Sequence, residues 1–221
     1  MVLAGEAVGE PKSGDGRVEM IRTLRSARQS AVKARSQAAT QLQALLVTAP
    51  EDLRRHRLRD LPTKDLVAAC ARFRPGNDLG DVQTATKFAL RSVARRHEAL
   101  SEEIAKLDVQ LDHLVAEVAP GLIVRPAIGT HHAATLLVLG GDNPERLDNE
   151  ASFASLCGVS PVEASSGKVV RHRLNRGGNR DANRALHMIC VVRMGVATRV
   201  PGTTCQDAPP RARASGRSCA A

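Results

Sequence analysis

Aromatic residues are almost missing from this chain: its 221 residues include three Phe and neither Tyr nor Trp. That scarcity argues against recognition of single-stranded bases by stacking, because such platforms are aromatic side chains worth roughly 1–3 kcal/mol per base. It also disfavours a β-sandwich, whose strands are rich in aromatic and β-branched residues. The five cysteines, Cys70, Cys157, Cys190, Cys205 and Cys219, are odd in number and scattered, with no C-x-x-C pair. Neither a disulfide framework nor a zinc site is indicated, and a reducing compartment fits. Glu6 interrupts the apolar run from Val2 to Val8, so no signal-peptide core forms there. No apolar run approaches the ~20 residues needed to span a bilayer. The expectation is a soluble, cytoplasmic protein without a membrane partner.

What the chain has in excess is positive charge, with 32 Lys and Arg against 23 Asp and Glu and a formal net charge of +9. The excess is concentrated late in the sequence. Between Gly167 and Arg199 stand Lys168, Arg171, Arg173, Arg176, Arg180, Arg184, Arg193 and Arg199, against Asp181 alone. A partner with regularly spaced negative charge, meaning nucleic acid, accounts for this better than solubility does.

The apolar pattern is helical through the first half. Met20, Leu24, Ala27, Ala31, Ala34, Ala38, Leu42 and Leu45 recur at helical steps, with Arg22, Arg25, Arg28, Lys33 and Arg35 on the flanks and Pro50 closing the segment. A second segment is more regular: Leu90, Val93, His97, Leu100, Ile104, Leu107, Leu111, Leu114 and Val118 form a heptad seam. A 3.5-residue period favours a left-handed coiled coil, either with the first helix as an antiparallel hairpin or with another chain. His97, the polar residue in this seam, is expected to be a register device satisfied by a partner. The expected architecture is mainly α. Residues 1–17 read as a flexible linker and 18–119 as the long helical hairpin with a small helical tip at 51–82. Residues 120–200 form a C-terminal domain after the Pro120–Gly121 break, and 201–221 a disordered tail.

Within the C-terminal domain, Gly129 and Thr130 precede an apolar helix, where free backbone N–H groups attract phosphate. The segment is similar to half of a helix-hairpin-helix element, with Ala127 where such elements often carry glycine; a plain helix start with Thr130 as N-cap is the alternative. Adjacent His131 and His132 cannot share one helical face as metal ligands usually do. The acidic run Asp142, Glu145, Asp148 and Glu150 suits a turn and a helix start better than a magnesium site.

Ser165 and Ser166 lie in a loop before Gly167 and Lys168. A serine attacks phosphorus when it is held in line, loses its proton and has nearby cations to neutralise developing charge. Lys168, Arg171 and Arg173 stand close enough in sequence to supply those cations, and the alternating VVRHRL would form a short strand or hairpin arm. Gly177 and Gly178 then precede Asn179 as an N-cap. Arg180 and Arg184 lie one turn apart on the following helix, with Ala185, Ile189 and Val192 towards the core. Two guanidinium groups beside a helix start suit phosphate.

The order of these elements, above all SFASLCGVSP, SSGK and RGGNRDANRALH, resembles the C-terminal half of transposases of the insertion sequence 110/116/902 family over about residues 10–195. The resemblance implies a DNA recombinase with a catalytic serine, best matched by Ser166 and next by Ser165, and nucleic-acid contact by the basic residues after it. It further implies a guide RNA as a partner and an N-terminal RNase-H-like domain whose four acidic residues bind magnesium. This sequence begins after that domain would have ended, and past about Met194 it lacks the expected basic helices. The expectation is therefore a truncated transposase, without a cofactor of its own and inactive alone, that associates with further copies through its long helices. The alternative is a non-enzymatic dimeric nucleic-acid-binding regulator.

Overall fold

The computed structural model describes residues 12, 14–55, 58–76, 80–143, 145, 147, 149–167 and 169–197. Two long helices dominate it, α1 (Arg17–Val47) and α4 (Val82–Val118). Both are rich in Ala, Leu and Arg, residues that lose least on entering a helix. They run antiparallel, as their cross-links show: Arg17 bonds Glu117, Arg28 bonds Asp108, and Arg96 donates to Gln41. The heptad seam is thus filled within the chain. Asp81, the last residue of the turn before α4, caps it by accepting from the Thr84 amide.

At the far end of the pair, α2 (Glu51–Arg55), a 3-10 turn (Leu58–Asp60) and α3 (Thr63–Ala71) make the tip. Leu42 and Leu46 of α1, Leu66, Val67 and Cys70 of α3, and Leu90, Val93 and Ala94 of α4 form one core there. At the opposite end, α6 (Thr130–Gly140) packs Ala133 and Ala134 against Ile21, Leu111 and Val115. A third, small core joins Leu139 of α6, Cys157 after α7 (Glu150–Leu156), and Ala182 of α8 (Arg180–Ala197). None of the described helices is long and apolar enough to cross a membrane.

Several expected core positions shift. Met20 is 53 % exposed and Ala27 is exposed, while Ile21 is fully buried and Arg28 and Arg35 are half-buried. The inward face of α1 follows Ile21, Leu24, Arg28, Ala31, Arg35, Ala38 and Leu42, so some arginines assigned to the flanks lie in the seam. His97 is half-buried and lines a pocket with Lys64, Val67 and Glu98; no side-chain hydrogen bond of its ring is found among the described contacts. Burial holds its imidazole below the ordinary value, and Arg35 adds to the shift.

The start of α1 is tied to the segment that follows α6. Gly16 is the N-cap and has no side chain to offer, and Asp142, which follows α6, supplies the cap instead. Its two oxygens accept from the amides of Val18 at 2.7 Å and Glu19 at 3.1 Å.

Candidate nucleic-acid interface

The serine loop is the tip of a β-hairpin. β1 (Val162–Glu163) pairs antiparallel with β2 (His172–Arg173), Val162 opposite Arg173 and Glu163 opposite His172. The same register continues to the tip. The Ala164 amide donates to the Arg171 carbonyl at 2.8 Å, and Ser166 and Val169 exchange backbone bonds of 3.1 and 3.2 Å. The connection between Ser166 and Val169 is therefore two positions long, and Gly167 takes the positive φ of 58° that such tight connections require at their first position. Lys168 itself lies outside the described residues.

Register decides which side chains share a face. Residues paired across the ladder project to the same side, and neighbours along a strand alternate. Ser166, Val169, Arg171 and Arg173 therefore belong to one face, whereas Ser165, His172 and Glu163 belong to the other. Both serines are exposed. The Ser165 Oγ accepts from the Arg171 amide at 3.4 Å, an engagement that Ser166 does not share among the described contacts. Apolar residues are bare on this element too: Val169 is 51 %, Val170 75 % and Leu174 78 % exposed.

The segment from Leu174 to Asn179 fastens the hairpin to the helices. Gly178 lies so close to Gly158 that a Cβ on Gly178 would come within 2.2 Å of Gly158 backbone atoms. The Asn179 amide donates to Leu156 O at 2.8 Å, and the Asn183 side chain donates to Cys157 O and Gly158 O, each at 3.2 Å. Asn179 caps α8 as its sequence indicates, accepting from the Asp181 and Ala182 amides at 3.0 Å each. Ala185 and Ile189 are buried, but Val192 is 42 % exposed rather than in the core. Helix α8 packs against the shorter α6, and its last turns run beyond that cover.

These elements sort the basic residues into two groups. Arg173 and Arg176 line one crevice with Val162 and Leu174, and Arg171 lies on the Arg173 face of the hairpin. Arg180 and Arg184 are exposed one turn apart on α8. Arg184, however, lines a different cavity with Arg25 and Arg28 of α1. The described contacts thus define two cationic places instead of a single cradle.

At the start of α6 the N-cap is Gly129, not Thr130, and no side chain caps its first amides. Ala127 adopts φ 67°, the left-handed conformation that glycine favours, at the position where helix-hairpin-helix elements often carry glycine. His131 Nε2 is 3.6 Å from Asp108 Oδ1. Burial, then Arg28, holds its imidazole below the ordinary value. Of the acidic run, Asp142 has both oxygens on α1 amides, Glu150 stands in the first turn of α7, and Asp148 lies outside the described residues. No group of metal-ligating side chains is found among the described residues.

Sequence reasoning missed Arg25, Arg28 and Gln29. Arg25 bonds Asp181 at 3.0 Å, Arg28 bonds Asp108, and Gln29 Nε2 lies 3.5 Å from Asp181. The Arg25 guanidinium holds the Asp181 carboxyl below its usual range, against some desolvation; Gln29 and Arg184 lower it further. A signal existed in the sequence, since Arg28 stands one heptad after Ile21, inside the repeat.

Compared with known families, residues 122–202, from α5 (Pro120–Ile123) onward, match the model of the Transposase IS116/IS110/IS902 family. That segment is similar to the domain of this family, which supports a transposase-related function for it. No curated protein and no solved structure matches the chain.

Proposed function

We propose that this chain grips DNA through the basic hairpin, the loop after it and the start of α8, and that Ser166 is the nucleophile of a strand-transfer step. The observation that carries this reading is the hairpin register, by which Ser166 shares a face with Arg171 and Arg173 at an exposed, tightly turned tip. In the reaction, Ser166 Oγ bonds to a backbone phosphorus and one existing P–O ester bond breaks. The departing sugar oxygen takes up a proton equivalent to the one lost by the hydroxyl. One ester replaces another, so no external energy source is needed. The arginines on that face neutralise charge building on the non-bridging oxygens, the term on which phosphoryl transfer depends most.

Ser165 is the weaker choice because it lies on the opposite face and its oxygen already receives a backbone bond. Lys168 is included as a phosphate contact on its sequence position, and Gly129 and Thr130 as backbone donors at the uncapped start of α6. Magnesium, where the reaction uses it, comes with an acidic domain outside these residues, and a guide RNA is the second nucleic acid. Copies that associate through the long helices do so by outer faces such as those of Phe88 and Val109, because the seam is occupied internally.

A suicide DNA substrate, with the acidic domain supplied in trans, tests the assignment. A covalent protein–DNA adduct is expected from the native chain and from Ser165→Ala, and none from Ser166→Ala. An adduct that persists in Ser166→Ala removes Ser166 from the mechanism. The second reading, a non-cleaving regulator, rests on the exposed basic residues of the hairpin and of α8, which suit backbone contact without cleavage. It predicts salt-dependent DNA binding that is indifferent to either serine, with no adduct under any condition.

A further inference from the structure

Resting on the proposal that the chain binds nucleic acid, we infer that the junction of α1, α6 and α8 is a second phosphate-binding site, through which the helical hairpin itself holds a nucleic-acid backbone. The site is a cavity of about 170 Å³. At ~30 Å³ per water that is room for a phosphate group with some of its hydration. Arg25, Arg28, Gln29, His132, Asp181 and Arg184 are among the residues that line it.

The charges in this cavity do not balance. Arg28 is neutralised by Asp108 of α4, outside the lining. Arg25 and Arg184 both act on one carboxylate, Asp181, and only Arg25 is ion-paired to it among the described contacts. One guanidinium is therefore in excess, and the Gln29 amide, 3.5 Å from Asp181, is a further donor beside it. Arg25 is half-buried with a side-chain exposure of 18 %, so its position is fixed before any ligand arrives. Preplaced, planar guanidinium groups with an amide donor suit the non-bridging oxygens of a tetrahedral phosphodiester. Arg184 also stands one turn after Arg180 on the helix that the hairpin feeds, so a strand lying along the start of α8 passes from one cationic place to the other.

Gln29 allows a test that leaves the Arg25–Asp181 pair in place. Binding of a fluorescent DNA duplex and of an RNA hairpin of equal length is measured across a salt series with the full chain. The variants are Gln29→Glu and Gln29→Lys, with Gln43→Glu as a charge control about 21 Å further along the same helix. Melting temperatures check that each variant is folded. We expect Gln29→Glu to weaken binding about fivefold and lower the log–log salt slope by about 0.9, the share of one duplex phosphate contact. Gln29→Lys should strengthen binding and Gln43→Glu should leave it unchanged. A shift with DNA alone or RNA alone identifies which backbone occupies the site. Equal affinities for native chain and both Gln29 variants, alongside weakened binding by Arg171→Gln/Arg173→Gln, overturn the second site and leave the hairpin reading intact. If the Gln29 variants shift affinity but the double hairpin variant does not, the hairpin reading fails and this site stands. A native chain that binds neither probe refutes both.

Discussion

At the scale of single residues, the structure places unusual backbone demands on very few side chains, and Ala127 is the clearest case. Its φ of 67° brings Cβ close to the following carbonyl, a penalty of roughly 1–2 kcal/mol for an L-residue. Glycine removes that penalty but adds freedom to the unfolded chain, which takes back about 0.4–1 kcal/mol. Ala127→Gly is therefore expected to stabilise the protein by about 0.5–1 kcal/mol. Urea denaturation checks this, and an unchanged or lowered midpoint would mean that the turn relaxes away from the left-handed region. The sequence marks the position, since Ala127 occupies a glycine site of the element it resembles. Ser166 and Ser165 are a contrasting case. Spacing alone leaves the two equivalent, and only the register of the hairpin, set by the two-residue turn at Gly167, puts them on opposite faces.

Among the elements, the decisive contact for α1 comes from Asp142, more than a hundred residues away in sequence. A carboxylate that satisfies two of a helix's first amides is worth about as much as an N-cap, ~1 kcal/mol, and Asn, with a single acceptor oxygen, can satisfy only one of them. Asp142→Ala should lower stability by about 1 kcal/mol, and Asp142→Asn should lose part of that, because it keeps one of the two acceptor oxygens. Equal losses in the two variants, measured by thermal or urea unfolding, would show that the negative charge and not the hydrogen-bonding geometry is what α1 requires. This tie was not legible in the sequence, because Asp142 reads locally as part of a turn before α7. What was legible followed from periodicity. The heptads of α4 are built from large aliphatic residues whose misplacement would be costly, so their spacing identifies the buried face. In α1 many apolar positions are alanine, which is tolerated inside or outside, and the stripe was read partly out of phase at Met20 and Ala27. Similarly, Asn179 announces the start of α8, but no local pattern reveals that α6 is too short to cover Val192.

Across the whole molecule, the C-terminal domain is fixed to the helical hairpin by polar ties as well as by apolar packing: Asp142 on the α1 amides, Arg25 on Asp181, and His131 beside the Arg28–Asp108 pair. Groups at one of these ties and elsewhere in the molecule have shifted values, which determines how stability varies with pH. His97 and His131 are held below the ordinary histidine value of 6.5, mainly by burial. Their neutral forms are favoured by folding, so their contribution is complete above about 6.5 and is lost as pH falls through that value towards the folded pKa. Asp181, lowered first by the Arg25 bond, and Asp81, lowered first by the Thr84 amide, start from an ordinary value of 3.8. Their contribution is complete above the ordinary range and is lost at lower pH, as the folded carboxyls take up protons. At the alkaline side, burial pushes the Cys70 thiol up to about 11 from 9.0, so its stabilising effect is whole below 9 and fades above it. The expected profile is a plateau between about pH 7 and 9, a first decline below 6.5 and a steeper one below 4. Thermal midpoints measured at constant ionic strength check it, and His131→Gln should shrink the first decline while leaving the second. A midpoint that rises between pH 7 and 5.5 would mean that the two imidazoles are stabilised as cations, and that Glu98 beside His97 and Asp108 beside His131 favour their charge more strongly than burial opposes it.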